Sequence, residues 1–156
     1  MRYQKNIFGK RQSMNLNKLI KVADWYLYRE NLIRQQVREA REKRRQFTIH
    51  AMPGDIMSNP TENTAIKHLT EIGSIAWKNG KVVYFPERWI ILFDKLYSEM
   101  KGIMLSIAVA RYQHKEKYAV TCAKLEITPN KYFAILREIR IIAVMFAVEM
   151  GILKTK

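Results

Sequence analysis

LEITPNKYFAILREIR, residues 125–140, decides how the rest of the chain is read. Thr128-Pro129 is a helix start. The threonine hydroxyl can accept from an early N–H of the next helix, and proline at the first helical position lacks only an N–H that has no helical partner. Just upstream stand a small residue, Cys122, a large one, Leu125, and an apolar turn residue, Ile127. That order suits two helices crossing steeply through a three- to four-residue turn, a helix-turn-helix over about 115–151. The small residue lets the second helix cross, and the large ones fill the corner.

The second helix divides by period. Tyr132, Ile135, Leu136 and Ile139 recur at i, i+3, i+4 and i+7 and should pack on Leu125 and Ile127. The other arc carries Asn130, Lys131, Phe133, Ala134, Arg137, Glu138 and, at its margin, Arg140. Such a mixture can read a major groove. Arginine addresses guanine, asparagine adenine, and alanine or phenylalanine a thymine methyl. Lys115, Lys117 and Lys124 are placed to meet phosphates beside it, and Thr128 lies at the same end. The turn position that glycine often fills is Glu126, and a left-handed glutamate is strained by roughly 1 kcal/mol or more.

Charge points the same way. The net charge is +14, and it is segmented. Residues 1–45 hold 13 Lys/Arg against 4 Asp/Glu, residues 46–100 hold 5 against 6, and residues 101–156 hold 10 against 4. Two basic ends around a neutral middle attract a polyanion, of which nucleic acid is the commonest in a cytosol. The 48% hydrophobic content is enough for a folded core. A lone cysteine, Cys122, gives no internal disulfide and fits a reducing compartment. The longest apolar run, residues 141–148, is far short of the ~20 needed to span a bilayer, and the N-terminus lacks a signal-peptide core. The expectation is a cytoplasmic protein without a membrane partner.

Upstream, residues 1–13 have no period and read as a basic lead-in. From Asn15 the pattern is helical, with Leu19, Ala23, Tyr26, Ile33, Val37 and Ala40 on one side and Glu30 as a polar interruption. No Gly or Pro intervenes before Pro53, so the reading is one helix over about 15–45, roughly 45 Å long. Its basic half, with Arg34, Arg38, Arg41, Lys43, Arg44 and Arg45, is expected to be solvated, to track phosphates or to contact RNA polymerase. Pro53-Gly54-Asp55 lies in the best linker candidate, which divides the chain into an arm with its long helix (1–52) and a helical domain (53–156).

Asn59-Pro60-Thr61-Glu62 reads as a helix start. Ile72, Ile75 and Ala76 lie on that helix's apolar face, and Asn79-Gly80 is its stop. The same dipeptide can close a β-hairpin before VVYF, but no matching strand is evident ahead of it. Further helices start at Pro86, with Trp89, Ile90, Phe93, Leu96, Tyr97 and Met100 inward, and after Gly102. Others span about 116–125 and 129–150. The fold expected is all-α, a long N-terminal helix plus a helical domain ending in the helix-turn-helix. The last helix is apolar almost all round, and its second face (Ile141, Val144, Met145, Val148) should meet the middle domain or a second copy.

Other chemistry is not indicated. His50, His68 and His114 lack metal-ligand spacing, there is no phosphate-binding glycine loop, carboxylates are scattered, and Cys122 sits at a packing position. No cofactor, metal or enzymatic activity is expected.

The segment 111–153, with Arg111-Tyr112, KLEITPNKYF and the long helix ending near Gly151, resembles the C-terminal part of phage transcriptional regulators of the ArpU and RinA kind. These resemble the promoter-reading helix-turn-helix of sigma factors. SNPTENTAIKHL is similar to the same proteins, so the resemblance covers roughly 55–152. It implies a sequence-specific double-stranded DNA-binding activator of phage late genes, in the host cytoplasm. Two alternatives stand beside it: a small DNA-binding terminase subunit that assembles into a homo-oligomeric ring, and a helical adaptor for an acidic protein.

Overall fold

The computed structural model describes residues 15–50 and 70–154. The basic lead-in, Pro53-Gly54-Asp55, the Asn59-Pro60 helix start and His68 lie outside the described residues. The elements in order are α1 (Leu16–Tyr28), α2 (Glu30–His50), β1 (Ser74–Ala76), β2 (Val82–Tyr84), α3 (Pro86–Glu99), α4 (Gly102–Ala108), a π-helical turn (Val109–Gln113), α5 (Tyr118–Leu125) and α6 (Pro129–Glu149). The fold is all-α, with one two-stranded hairpin among the described residues.

The described residues form two compact units, one from 15–31 and 88–154, the other from 32–50 and 70–87. α1 belongs with the C-terminal helices, because its buried face (Leu19, Ala23, Tyr26, Leu27) and its acid, Asp24, have their partners there. In that unit Tyr26 stacks on Trp89 with ring centroids 4.0 Å apart and planes 8° from parallel. Leu92, Phe93 and Leu96 on α3, Ile107 on α4, and Leu136, Ile139 and Ala143 on α6 are buried with them. α6 packs against α1, α4 and α5. Of its expected second face, Val144 is buried, Ile141 and Val148 are half-buried, and Met145 is open.

The single helix expected over 15–45 is two. Arg29 leaves helical geometry (φ −108°, ψ 14°) between α1 and α2. Its guanidinium returns to the Trp25 carbonyl at 3.3 Å and lies 4.3 Å over the Trp25 ring. At the break the Tyr28 carbonyl accepts from the Lys115 ammonium, far along the chain. Next to the break Glu30 is buried, accepting the Tyr97 hydroxyl at 2.7 Å. Burial and that carboxylate hold the Tyr97 phenol well above its usual pKa. A helix period can continue through such a joint, because one non-helical residue scarcely shifts the apolar phase.

In the second unit the expected helix over 59–79 is corrected at its C-terminal part. Ile75 pairs with Val83, Ser74 with Tyr84 and Ala76 with Val82 in an antiparallel hairpin. The Gly80 N–H donates to the Trp77 carbonyl at 2.9 Å, Gly80 takes φ +78°, and the Asn79 side chain accepts from Lys81 N–H at 3.1 Å. Asn79-Gly80 is thus a hairpin turn, the alternative that the dipeptide also permits. The β-branched Val82-Val83 need a pleated partner. Three residues before the turn suffice to supply one, too few for a period-2 signal.

Candidate nucleic-acid interface

α5 ends where Glu126 turns left-handed, at φ 54°, ψ 43°, and Ile127 N–H bonds back to the Cys122 carbonyl at 3.1 Å. A glutamate therefore holds the position that glycine often takes. Two residues later the Thr128 hydroxyl accepts from Lys131 N–H at 3.3 Å, and Tyr132 N–H reaches the Thr128 carbonyl at 3.0 Å. Residues 126–128 are the whole turn. Cys122 is buried at the corner, while Leu125 and Ile127 are half-buried. Before the turn, Glu116 accepts from Thr121 Oγ1 at 2.7 Å and pairs with Lys124, which together hold its carboxyl below the usual range.

α6 splits lengthwise. Tyr132, Leu136 and Ile139 are buried and Ile135 is half-buried, whereas Asn130, Lys131, Phe133, Ala134, Arg137 and Glu138 are exposed. Lys117 is also exposed, directly ahead of α5. Among the described residues Lys117, Lys131 and Arg137 have no ion-pair partner within 4 Å.

Other residues expected to face DNA are engaged within the unit. Arg140 Nε donates to Asp24 Oδ1 at 2.8 Å, and the Tyr112 hydroxyl donates to the same oxygen at 2.8 Å. Arg111 lies 3.7 Å from Asp24 Oδ2. Burial opposes the Arg140 charge, but Tyr112 and Asp24 outweigh it and strengthen the proton's hold. Burial, then the Asp24 charge, pushes the Tyr112 phenol far up. Lys115 bonds the Tyr28 and Tyr112 carbonyls and sits 4.1 Å over the Tyr28 ring; burial lowers its pKa. Arg140 and Lys115 thus join α1 to the helices around the turn, and Lys124 serves Glu116. The reason is the same for all three: a cation near a carboxylate or a helix-end carbonyl inside its own unit meets that partner before any external phosphate.

In the second unit the same holds for part of the α2 series. Arg41 Nε meets Glu87 Oε1 at 2.7 Å, and the other Glu87 oxygen accepts Ile72 N–H at 2.8 Å. Arg44 donates to the Thr70 carbonyl at 3.0 Å. Arg38, Lys43 and Arg45 are exposed, and Arg34 is half-buried.

Asp24 is not legible as a site residue in the sequence. Its one signal was an acid inside the apolar pattern Leu19, Ala23, Tyr26. Nor is Tyr118, the first residue of α5, which is 47% exposed beside Phe133. Among the described residues no cluster of His, Cys, Asp or Glu could hold a metal, and no helix is long and apolar enough to cross a membrane.

Comparison with protein-family models, curated proteins and solved structures found no match for this chain.

Proposed function

We propose that the chain is a sequence-specific double-stranded DNA-binding regulator, with α6 as the helix that enters the major groove. The observation that carries this is the three-residue turn after α5, closed by left-handed Glu126 and the Thr128 cap, ahead of an exposed arc with Asn130, Lys131 and Arg137. A helix entering a groove must expose donors that its own fold has not taken, and Lys131 and Arg137 meet that need. Arg137 addresses a base edge, Asn130 a neighbouring base, and Lys117 and Lys131 the flanking phosphates. The resemblance of residues 111–153 to phage regulators of the ArpU and RinA kind supports activation of late genes as the biological setting. Exposed Arg38, Lys43 and Arg45 on α2 are the surface for a further phosphate or polymerase contact.

Selection of bound duplexes from random DNA by the full chain tests the reading. One enriched motif is expected. With about 5 phosphate contacts, log K should fall against log salt with a slope near −4 to −5. Binding indifferent to sequence, or none at low salt, overturns the reading.

A further inference from the structure

Three rings meet at the start of the second helix. Tyr132 is wholly buried and forms the floor. Phe133 stands on it edge-on, with centroids 5.2 Å apart at 88°. Tyr118, from the first turn of α5, leans on Phe133 at 5.2 Å and 47°. Phe133 and Tyr118 remain 48% and 47% exposed. Phe133 is the large apolar side chain in the middle of the exposed arc, two residues after Lys131 and one turn before Arg137. Lys117 immediately precedes Tyr118. Exposed apolar surface of this size gains free energy when something covers it. The unpaired cations around it favour an anionic cover over a neutral or basic one, although the exposed carboxylates Glu126 and Glu138 lie close in the chain.

A phenyl ring has no hydrogen bond to offer. In a major groove the apolar group on a base edge is the C5-methyl of thymine. A ring free to rotate would lose entropy on docking there, whereas one already held between two others loses little. We propose that Phe133 reads the methyl group of one thymine, and that Tyr118 is the positioning residue that fixes the Phe133 ring for it. The inference rests on the DNA-binding reading above and names the base that this part of the surface recognises.

The test uses the full chain and its selected duplex. Each thymine is replaced in turn by deoxyuridine, which removes the methyl group and nothing else. One replacement should weaken binding about fourfold, the worth of one buried methyl. Phe133→Ala should bind thymine and deoxyuridine duplexes equally, while keeping the parent's salt dependence. Tyr118→Leu should lose most of the discrimination, and Tyr118→Phe should keep it, which a purely structural role for Tyr118 would not produce. If no duplex is enriched, both the regulator reading and this inference fall. If a duplex is enriched but every deoxyuridine duplex binds alike, or if Phe133→Ala still discriminates, the inference alone falls. Preference for the single strand, where aromatic side chains stack on bases, also overturns it.

Discussion

α2 and α6 are both 21-residue helices, with five arginines and two, and their charges are used differently. On α2, Arg41 and Arg44 are bound to Glu87 and the Thr70 carbonyl within their own unit. On α6, Arg140 is likewise bound to Asp24, but Arg137, one turn earlier on the other arc, is exposed. Counting cations overstates what a surface offers. What matters is whether the fold brings a carboxylate or an open carbonyl within reach, because the folded chain holds that partner at a local concentration no external ligand matches.

The contrast can be broken by substitution. The largest effect should come from Asp24→Asn, which leaves Arg140 and Arg111 without their charge partner in a site only about a quarter open. Partial solvent access reduces the cost of an orphaned buried charge to about 2 kcal/mol. Urea unfolding would measure it; a change under 0.5 kcal/mol would remove Asp24 as the tie between α1 and α6.

Next in size, Arg137→Ala should weaken binding to the selected duplex by roughly 1–3 kcal/mol without changing stability. Arg41→Ala should do the reverse, costing about 1 kcal/mol of stability and little affinity. Titration and urea curves on both variants separate the two uses of arginine, and equal affinity losses would mean that Arg41 and Arg137 serve alike.

The turn should give two opposed effects of about 1 kcal/mol. Thr128→Ala removes the hydroxyl that Lys131 N–H donates to and should destabilise. Glu126→Gly relieves the left-handed glutamate and should stabilise. Thermal melts of the pair check both signs; a destabilising Glu126→Gly would mean that the carboxylate itself contributes to the turn.

The smallest effect is alkaline. The Tyr97 and Tyr112 phenols have pKa values raised by burial, and then by Glu30 and Asp24 respectively, above the ordinary 10.0. Their contribution is full below pH 10.0 and is lost as pH rises toward their folded values, because the unfolded chain releases those protons first. Urea midpoints should therefore fall above pH 10, and Tyr112→Phe should make that fall shallower.

Much of the α5–turn–α6 pair was legible because its signals are local. Thr128-Pro129 and the spacing of Tyr132, Leu136 and Ile139 act within one or two helical turns. The hairpin was less legible. Asn79-Gly80 fits a helix stop and a hairpin turn equally, and only the pairing of Ile75 with Val83 separates them. The break at Arg29 leaves the apolar period on both sides in place, so it leaves no pattern to read.

The sequence by itself determined the helical class, the cap at Thr128, the left-handed demand on Glu126 and the division of α6 into buried and exposed arcs. Backbone stereochemistry and the 3.6-residue period act on neighbours alone. Only the tertiary structure decided which cations stay outward. Asp24 reaches Arg140 across 116 positions of chain, and Lys115 reaches the Tyr28 carbonyl across 87. No local pattern encodes such a meeting, since it exists only once packing has placed the helices side by side.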